Sequence, residues 1–259
     1  MVEYAIPDLT QWVTRFLLPL FRISSFFMVV PLIGTQLVPV RIRLGFSIAI
    51  TIVVLPLLPP QPSIDGLSLS LYVLIAQQLL IGFALGFFVQ VFFQVFVLGG
   101  QLISSQMGLG FASISDPANG VSVVVLSQFY LMTVMMLFLS MNGHAVLIDV
   151  IVDSFRIMPI GEGSLTSDSQ WTIAASGTWM FAGGLVIALP AVVSILIVNF
   201  AFGVMTKAAP QLNIFAIGFP FTMVFGIAIA WVSLEGFLGQ YQRIADEILN
   251  MLARLLVAG

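Results

Sequence analysis

Charged side chains are scarce in this chain, and long stretches lack them altogether. Asp, Glu, Lys and Arg make up 7% of the residues and hydrophobic residues 60%, whereas a typical soluble domain is about 25% charged. The uncharged runs are Leu44–Ile64, Gly66–Ser115, Pro117–Ile148, Ser169–Thr206 and Ala208–Leu234. Because a soluble domain needs charge on its surface, the composition predicts an all-α, integral membrane-type protein.

Cysteine is absent and His144 is the single histidine. These absences exclude disulfides, thiolate metal sites and a cysteine nucleophile, and one histidine cannot build a metal cluster. The catalytic and phosphate-binding motifs HExxH, GxSxG, the phosphate loop and GxGxxG do not occur in the context that each requires. No basic patch suited to nucleic acid is present. We therefore predict no cofactor, no metal, no nucleic-acid partner and no enzymatic activity.

Asp149 and Asp153 form a carboxylate pair with a spacing of four residues. On a helix they could share a face and bind a cation or relay protons. Asp153, however, is expected at a segment end in water, so the sequence favours a solvated pair without a site.

Apolar residues group into six segments, and all except the second are longer than the roughly 20 residues that cross a bilayer as a helix. Segments three, four and five exceed that length and are expected to tilt, bend or extend beyond the hydrocarbon. Pro190 lies in segment five and is expected to kink it. We predict one domain over 1–259. The segments are Phe16–Val38, Leu44–Leu58, Leu69–Leu98, Val121–Val152, Trp171–Met205 and Ile214–Leu238.

The tail from Gln240 to Val257 has a different pattern. Its apolar residues recur at helical spacing and its charged residues fall largely elsewhere on the helical wheel, which predicts an amphipathic helix. Such a helix lies on a membrane or a partner, or packs on its own protein, and the sequence leaves these alternatives open. The apolar positions are Ile244, Ile248, Leu252 and Leu255.

Arg22 stands about two turns inside the first apolar segment. An arginine at membrane depth is costly and usually faces protein or water, so it could pair with a carboxylate or with carbonyls at a helix end. Alternatively, the segment begins after Arg22, and Arg15 and Arg22 reach the interface with their long side chains.

Segment three carries features of close helix packing. Gly82 and Gly86 form a pair of small residues that lets helices approach closely. Uncharged amides also recur along the segment and its end, and in an apolar helix they need partners or water. This pattern fits a helix that faces other subunits or a wet lumen. The amides are Gln77, Gln78, Gln90, Gln94, Gln101 and Gln106.

A glycine-rich stretch from Gln106 to Pro117 separates segments three and four. Gly108 and Gly110 weaken a helix, yet Met107, Leu109 and Phe111 are apolar. Irregular apolar backbone at membrane depth is tolerated when it is buried in protein or lines a cavity. The stretch is therefore interpreted as a constriction or plug, or as an ordinary re-entrant or surface loop.

Short motifs along nearly the whole chain resemble the FliR family of flagellar type III secretion export-gate proteins. Each motif is weak alone, but their order and spacing are specific. They are Phe21-Arg22 with Pro31; Pro39 and Arg41; Gln78 to Gly82 with Gly86; Gln106 to Ala112 with Asp116-Pro117; Asn142-Gly143-His144; Leu189-Pro190; and Ala209 to Pro220, which includes Pro210 and Gln211.

This resemblance implies a subunit of a gate in the bacterial inner membrane, at the flagellar basal body. The gate would be a hetero-oligomer with FliP-like and FliQ-like subunits, next to FlhB and FlhA, and it would pass unfolded flagellar proteins. The resemblance also implies helical hairpins, with apolar segments buried in the complex and some of them away from lipid. It assigns the channel plug to Met107, Gly108, Leu109, Gly110, Phe111 and Ala112.

Two other functions stay open from the residues alone. A small-solute secondary transporter or ion channel would place polar groups near the midplane between broken helices, and this chain has few such groups. The homologous gate subunit of an injectisome is a further alternative.

Overall fold

The computed structural model describes residues 6–34, 38–59, 69–108, 125–162, 164–208 and 214–257. These ranges contain eight α-helices and no strand, which confirms the predicted all-α class. Short 3-10 turns follow α2 at Leu55–Leu57 and join the last two helices at Leu234–Gly236. The helices are α1 (Ile6–Val29), α2 (Val40–Val54), α3 (Leu69–Gln106), α4 (Val125–Ser140), α5 (Gly143–Ile157), α6 (Ser167–Ala208), α7 (Ile214–Ser233) and α8 (Phe237–Val257).

The fourth apolar segment forms two helices, α4 and α5, because the chain turns at Asn142. This residue has a left-handed backbone, with φ 57° and ψ 28°, which a right-handed helix cannot contain. Asparagine tolerates this conformation better than most residues. The length of the segment predicts tilting or bending, and the turn at Asn142 is where the structure interrupts it.

The described chain forms two compact units. The first takes in the chain up to Val91, Leu139–Ser176 and the residues from Ile248 onward. The second takes in Phe92–Phe138 and Gly177–Glu247. Helices α3, α6 and α8 each contribute residues to both units.

In the first unit, α2 buries Ser47, Thr51 and Val54 and exposes most of its other apolar residues. Ser47 and Thr51 are fully buried, whereas Ile52 and Val53 are exposed. The Thr51 hydroxyl donates to the Ser47 carbonyl at 2.7 Å, so its burial leaves no unmet donor. Small residues at the contact and apolar residues outside are typical of membrane helices.

The second unit is organised around a cluster of aromatic rings from α3, α4 and α8. Neighbouring ring centroids are 5.1–6.4 Å apart, mostly in edge-on or tilted geometry, which is the favoured arrangement for aromatic pairs. This cluster fixes the start of α8 within the second unit. Its members are Phe92, Phe93, Phe96, Tyr130, Phe138, Phe237 and Tyr241.

Helix α8 is amphipathic, as its sequence pattern predicts, and its apolar positions are buried inside the protein itself. Ile244, Ile248, Leu252 and Leu255 are at most 7% exposed. Of the alternatives left open for this helix, packing on its own protein is therefore the one observed.

Four helical stretches of the described chain are long and apolar enough to cross a membrane, judged by length and composition. Together, α4 and α5 add a fifth if they are counted as one broken span. In the most apolar window of Ser167–Ala208, 22% of the residues are buried in the protein, against 67% in that of Leu69–Gln106. More residues are therefore buried in this window of α3 than in that of α6, where exposed apolar side chains are available to lipid or partners. The other two stretches are Val40–Leu57 and Pro220–Val257.

Candidate functional site

The guanidinium group of Arg22 is completely buried in the first unit. Its Nε donates to Oε1 of Gln78 at 2.8 Å. Its Nη1 donates to the carbonyl and the hydroxyl of Ser154 at 2.8 and 3.3 Å, and its Nη2 donates to the Met158 carbonyl at 2.9 Å. The ring of Phe155 lies 4.2 Å from its Cζ. Of the two interpretations left open by the sequence, the buried arginine is the one observed, and it joins α1 to α3 and to the end of α5.

The positive charge of Arg22 is balanced by dipoles, and no carboxylate contacts it within the described ranges. Ser154 and Met158 lie in and just after the last turn of α5. The final carbonyls of a helix lack partners within the helix and carry partial negative charge. Burying an ion costs several kcal/mol, and these charge-assisted bonds and the ring contact offset that cost.

Gly82 and Gly86 lie where α3 crosses α1, on the same face as Gln78. A Cβ atom at Gly82 would collide with the Arg22 carbonyl oxygen and the Ser25 hydroxyl. At Gly86 it would lie 2.8 Å from the Phe26 carbonyl oxygen. The two helices therefore meet backbone to backbone, and the structure brings Arg22, Gly82 and Gly86 together at one crossing.

We expect Gly82→Ala to destabilise the protein by about 1–3 kcal/mol, as overpacking usually does. The added methyl group meets main-chain atoms of α1, which cannot yield as a flexible side chain would. The matched control is Gly45→Ala, because a Cβ at Gly45 on α2 has no neighbour within 4 Å. Thermal stability and yield in mild detergent should fall for Gly82→Ala alone. Equal stability of both variants would contradict this packing.

Met107 and Gly108 lie at the end of α3, in the second unit. The Met107 side chain is 1% exposed, and its main-chain N–H donates to the Ile103 carbonyl at 3.0 Å. Gly108 has a positive φ of 78°, which favours glycine and is typical of a helix end. The other residues assigned to the plug, Leu109, Gly110, Phe111 and Ala112, lie outside the described residues.

The remaining residues singled out from the sequence lie away from Arg22. Asn142 is exposed at the N-terminus of α5, and the last turn of the same helix binds Arg22. Pro190 is exposed within α6, which continues through it, and the Ser194 hydroxyl donates to its carbonyl at 2.8 Å. Pro210 and Gln211 lie outside the described residues.

The acidic pair on α5 lies on the surface, as expected for a solvated pair. Asp149 and Asp153 are exposed, and Asp153 pairs with Arg156 at 3.2 Å on the surface. Within the described ranges, no group of three or more His, Asp and Glu residues could hold a metal ion.

The sequence did not identify the residues that contact Arg22 and Met107. The acceptors Ser154 and Met158 carry no motif, although Pro159 marks a helix end and hence free carbonyls nearby. Gly226, which contacts Met107, looks like any other glycine in an apolar helix. Of the six glutamines on α3, Gln78 is the buried one, and its Oε1 accepts from Arg22.

The long apolar helices, the outward-facing apolar residues and the buried arginine define the class as a polytopic helical membrane protein. Residues 13–248 match the model of a family described as bacterial export proteins, family 1, and the chain belongs to this family.

Several relatives carry the name flagellar biosynthetic protein FliR, which confirms the resemblance drawn from the motifs. The protein of Escherichia coli K12 is 34% identical over 99% of this chain and 98% of its own length. That of Pectobacterium carotovorum is 33% identical over 99% and 98%. That of Bacillus subtilis is 29% identical over 85% and 84%.

Proposed function

We propose that this chain is a subunit of the flagellar type III secretion export gate in the bacterial inner membrane, at the flagellar basal body. It forms, with FliP-like and FliQ-like subunits and next to FlhB and FlhA, the channel through which unfolded flagellar proteins leave the cell interior. The observation that carries this proposal is the similarity to flagellar FliR proteins over nearly the full chain. The three relatives above are all flagellar, which favours the flagellar gate over an injectisome gate.

Exposed apolar side chains support membership of a membrane-embedded hetero-oligomer. Large residues such as Trp171, Phe200 and Trp231 are 73–75% exposed on the described surface. Apolar patches of this kind mark surfaces that contact lipid or another protein.

Helices α3, α6 and α8 contribute to both compact units, which supports treating 1–259 as a single domain.

We assign two kinds of role within this gate. Residues 107–112 form a plug that helps to close the channel, since bulky apolar groups at a constriction exclude water and ions. Arg22, Gly82 and Gly86 hold α1, α3 and α5 together for assembly, and Asn142, Pro190, Pro210 and Gln211 have supporting structural roles. The chain acts by forming a passage and carries out no catalysis.

The test is secretion by a strain that lacks this chain. We expect the deletion to abolish export of hook and filament proteins into the medium, because a channel without one of its subunits does not assemble. The unmodified chain on a plasmid should restore export, and Arg22→Ala should not. Normal export in the deletion strain, with a defect in the uptake of a small solute, would instead favour a transporter.

A further inference from the structure

Gly226 on α7 provides the surface on which the Met107 side chain rests, within the second unit. A Cβ atom at Gly226 would collide with Cγ of Met107 and would lie 2.9 Å from its Sδ and 3.1 Å from its Cε. The three heavy atoms nearest to such a Cβ all belong to the Met107 side chain, which therefore lies directly against Gly226. Only a glycine leaves room for this contact.

The main chain of Met107 is hydrogen-bonded to α3. Its N–H donates to the Ile103 carbonyl in the helical pattern of α3 at 3.0 Å, and the Gly108 N–H donates to the Ser105 carbonyl at 3.1 Å. The left-handed φ of 78° comes at the next residue, Gly108. Met107 therefore continues the hydrogen-bond pattern of α3, and the left-handed backbone conformation comes at the residue after it.

We propose that Met107 and Gly226 form a fixed anchor that positions the start of the plug, and that Met107 stays on Gly226 while the gate opens. This inference rests on the proposed function and changes the role of one residue in it. Met107 is then a positioning residue, and Gly226, which no motif marks, is its partner.

Substitution at Gly226 tests the positioning role. The added methyl group of Gly226→Ala displaces the Met107 side chain from its contact with residue 226. We therefore expect ion leak through the assembled gate to rise by about three- to tenfold, as a modest shift from closed to open states would produce. The matched control is Gly203→Ala in α6, because a Cβ at Gly203 has no neighbour within 4 Å. Recovery of the gate should be similar for the two variants. Equal leak from both, at equal recovery, would overturn the role of Gly226.

A cysteine pair tests whether Met107 stays on Gly226 during export, and it keeps the inference testable if Gly226→Ala fails to fold. The natural chain has no cysteine, so Met107→Cys with Gly226→Cys introduces the only two thiols. After mild oxidation of cells carrying the full gate, we expect loss of both thiols to maleimide labelling, with each single variant still labelled. We also expect protein export and ion leak through the gate to be the same in the oxidised and the reduced sample.

A second pair, Val95→Cys with Gly183→Cys, provides the control for cross-linking in the same unit. A Cβ at Gly183 lies 4.0 Å from Cβ of Val95, within the range of about 3.5–4.5 Å that a disulfide requires. Absence of a cross-link in the 107/226 pair, when the control pair reacts, would show that the contact does not exist. Export blocked by oxidation of the 107/226 pair alone would show that Met107 must move, and would also overturn the proposal.

Failure of the anchor and failure of the proposed function give different results. If the chain were not part of an export gate, the unmodified chain would fail to restore flagellar protein export in the deletion strain. If only the anchor were wrong, the unmodified chain would restore export and the oxidised 107/226 pair would block it.

Discussion

Arg22→Ala is expected to remove about 3–5 kcal/mol of stability, the usual cost of breaking a buried charged arrangement by deleting one partner. The substitution leaves Oε1 of Gln78 and the carbonyls of Ser154 and Met158 without the donor that they share. It also opens a cavity against Phe155 and releases α1 from α3 and from the end of α5. Recovery of the intact gate from membranes should therefore fall steeply.

Two control variants separate this effect from a loss of charge in general. Arg22→Lys keeps the charge but lacks the planar fork that reaches three groups, so recovery should improve little over Arg22→Ala. Arg156→Ala removes an exposed arginine from α5, whose surface ion pair with Asp153 contributes about 0–1 kcal/mol. Normal recovery of Arg22→Ala, measured by native gel and blot beside Arg156→Ala, would contradict the structural role of Arg22.

Deleting residues 107–112 is expected to increase ion leakage through the gate by about tenfold or more, equivalent to a loss of ~1.4 kcal/mol in the preference for the closed state. The deletion removes the apolar side chains assigned to the plug and the anchor at Met107, but it leaves the Arg22 crossing intact. Assembly should therefore persist while the barrier fails. Proton or sodium leak in vesicles and recovery of the gate should be measured on the same membranes.

A same-length replacement distinguishes loss of the plug from a shortened connection. Exchanging 109–112 for glycine and serine keeps Met107 on Gly226 and the chain length, but removes Leu109 and Phe111. We expect leakage close to that of the deletion variant, because glycine and serine lack the bulky apolar side chains that exclude water. If neither variant increased the ion leak while the gate was recovered in full, residues 107–112 would not act as a plug.

Much of the fold follows from the length of the apolar runs. Helix α3 begins at Leu69, as predicted segment three does, and continues past the predicted end at Leu98 to Gln106. Helix α6 extends segment five by a few residues at either end and continues through Pro190. The sequence analysis predicts segment four without a turn, although Asn142-Gly143, where α4 and α5 divide, is a recognised turn signal. Both helices are apolar, so the hydropathy of the sequence shows them as one continuous segment.

The arginine site was only half predictable. Its position inside an apolar segment identified Arg22, and the glycine spacing identified the crossing face of α3. The acceptors, however, are 56, 132 and 136 residues away in sequence, so no local pattern connects them to Arg22. Such contacts depend on tertiary packing, and the same reason explains why Gly226 could not be paired with Met107.

The most direct test of the export-gate assignment is the native mass and subunit composition of the tagged chain, purified from cells that express its neighbouring secretion genes. The assignment predicts one large complex that contains FliP-like and FliQ-like subunits with this chain, and its loss in Arg22→Ala membranes. A lone monomer or a homo-oligomer, recovered in good yield under the same conditions, would contradict the assignment.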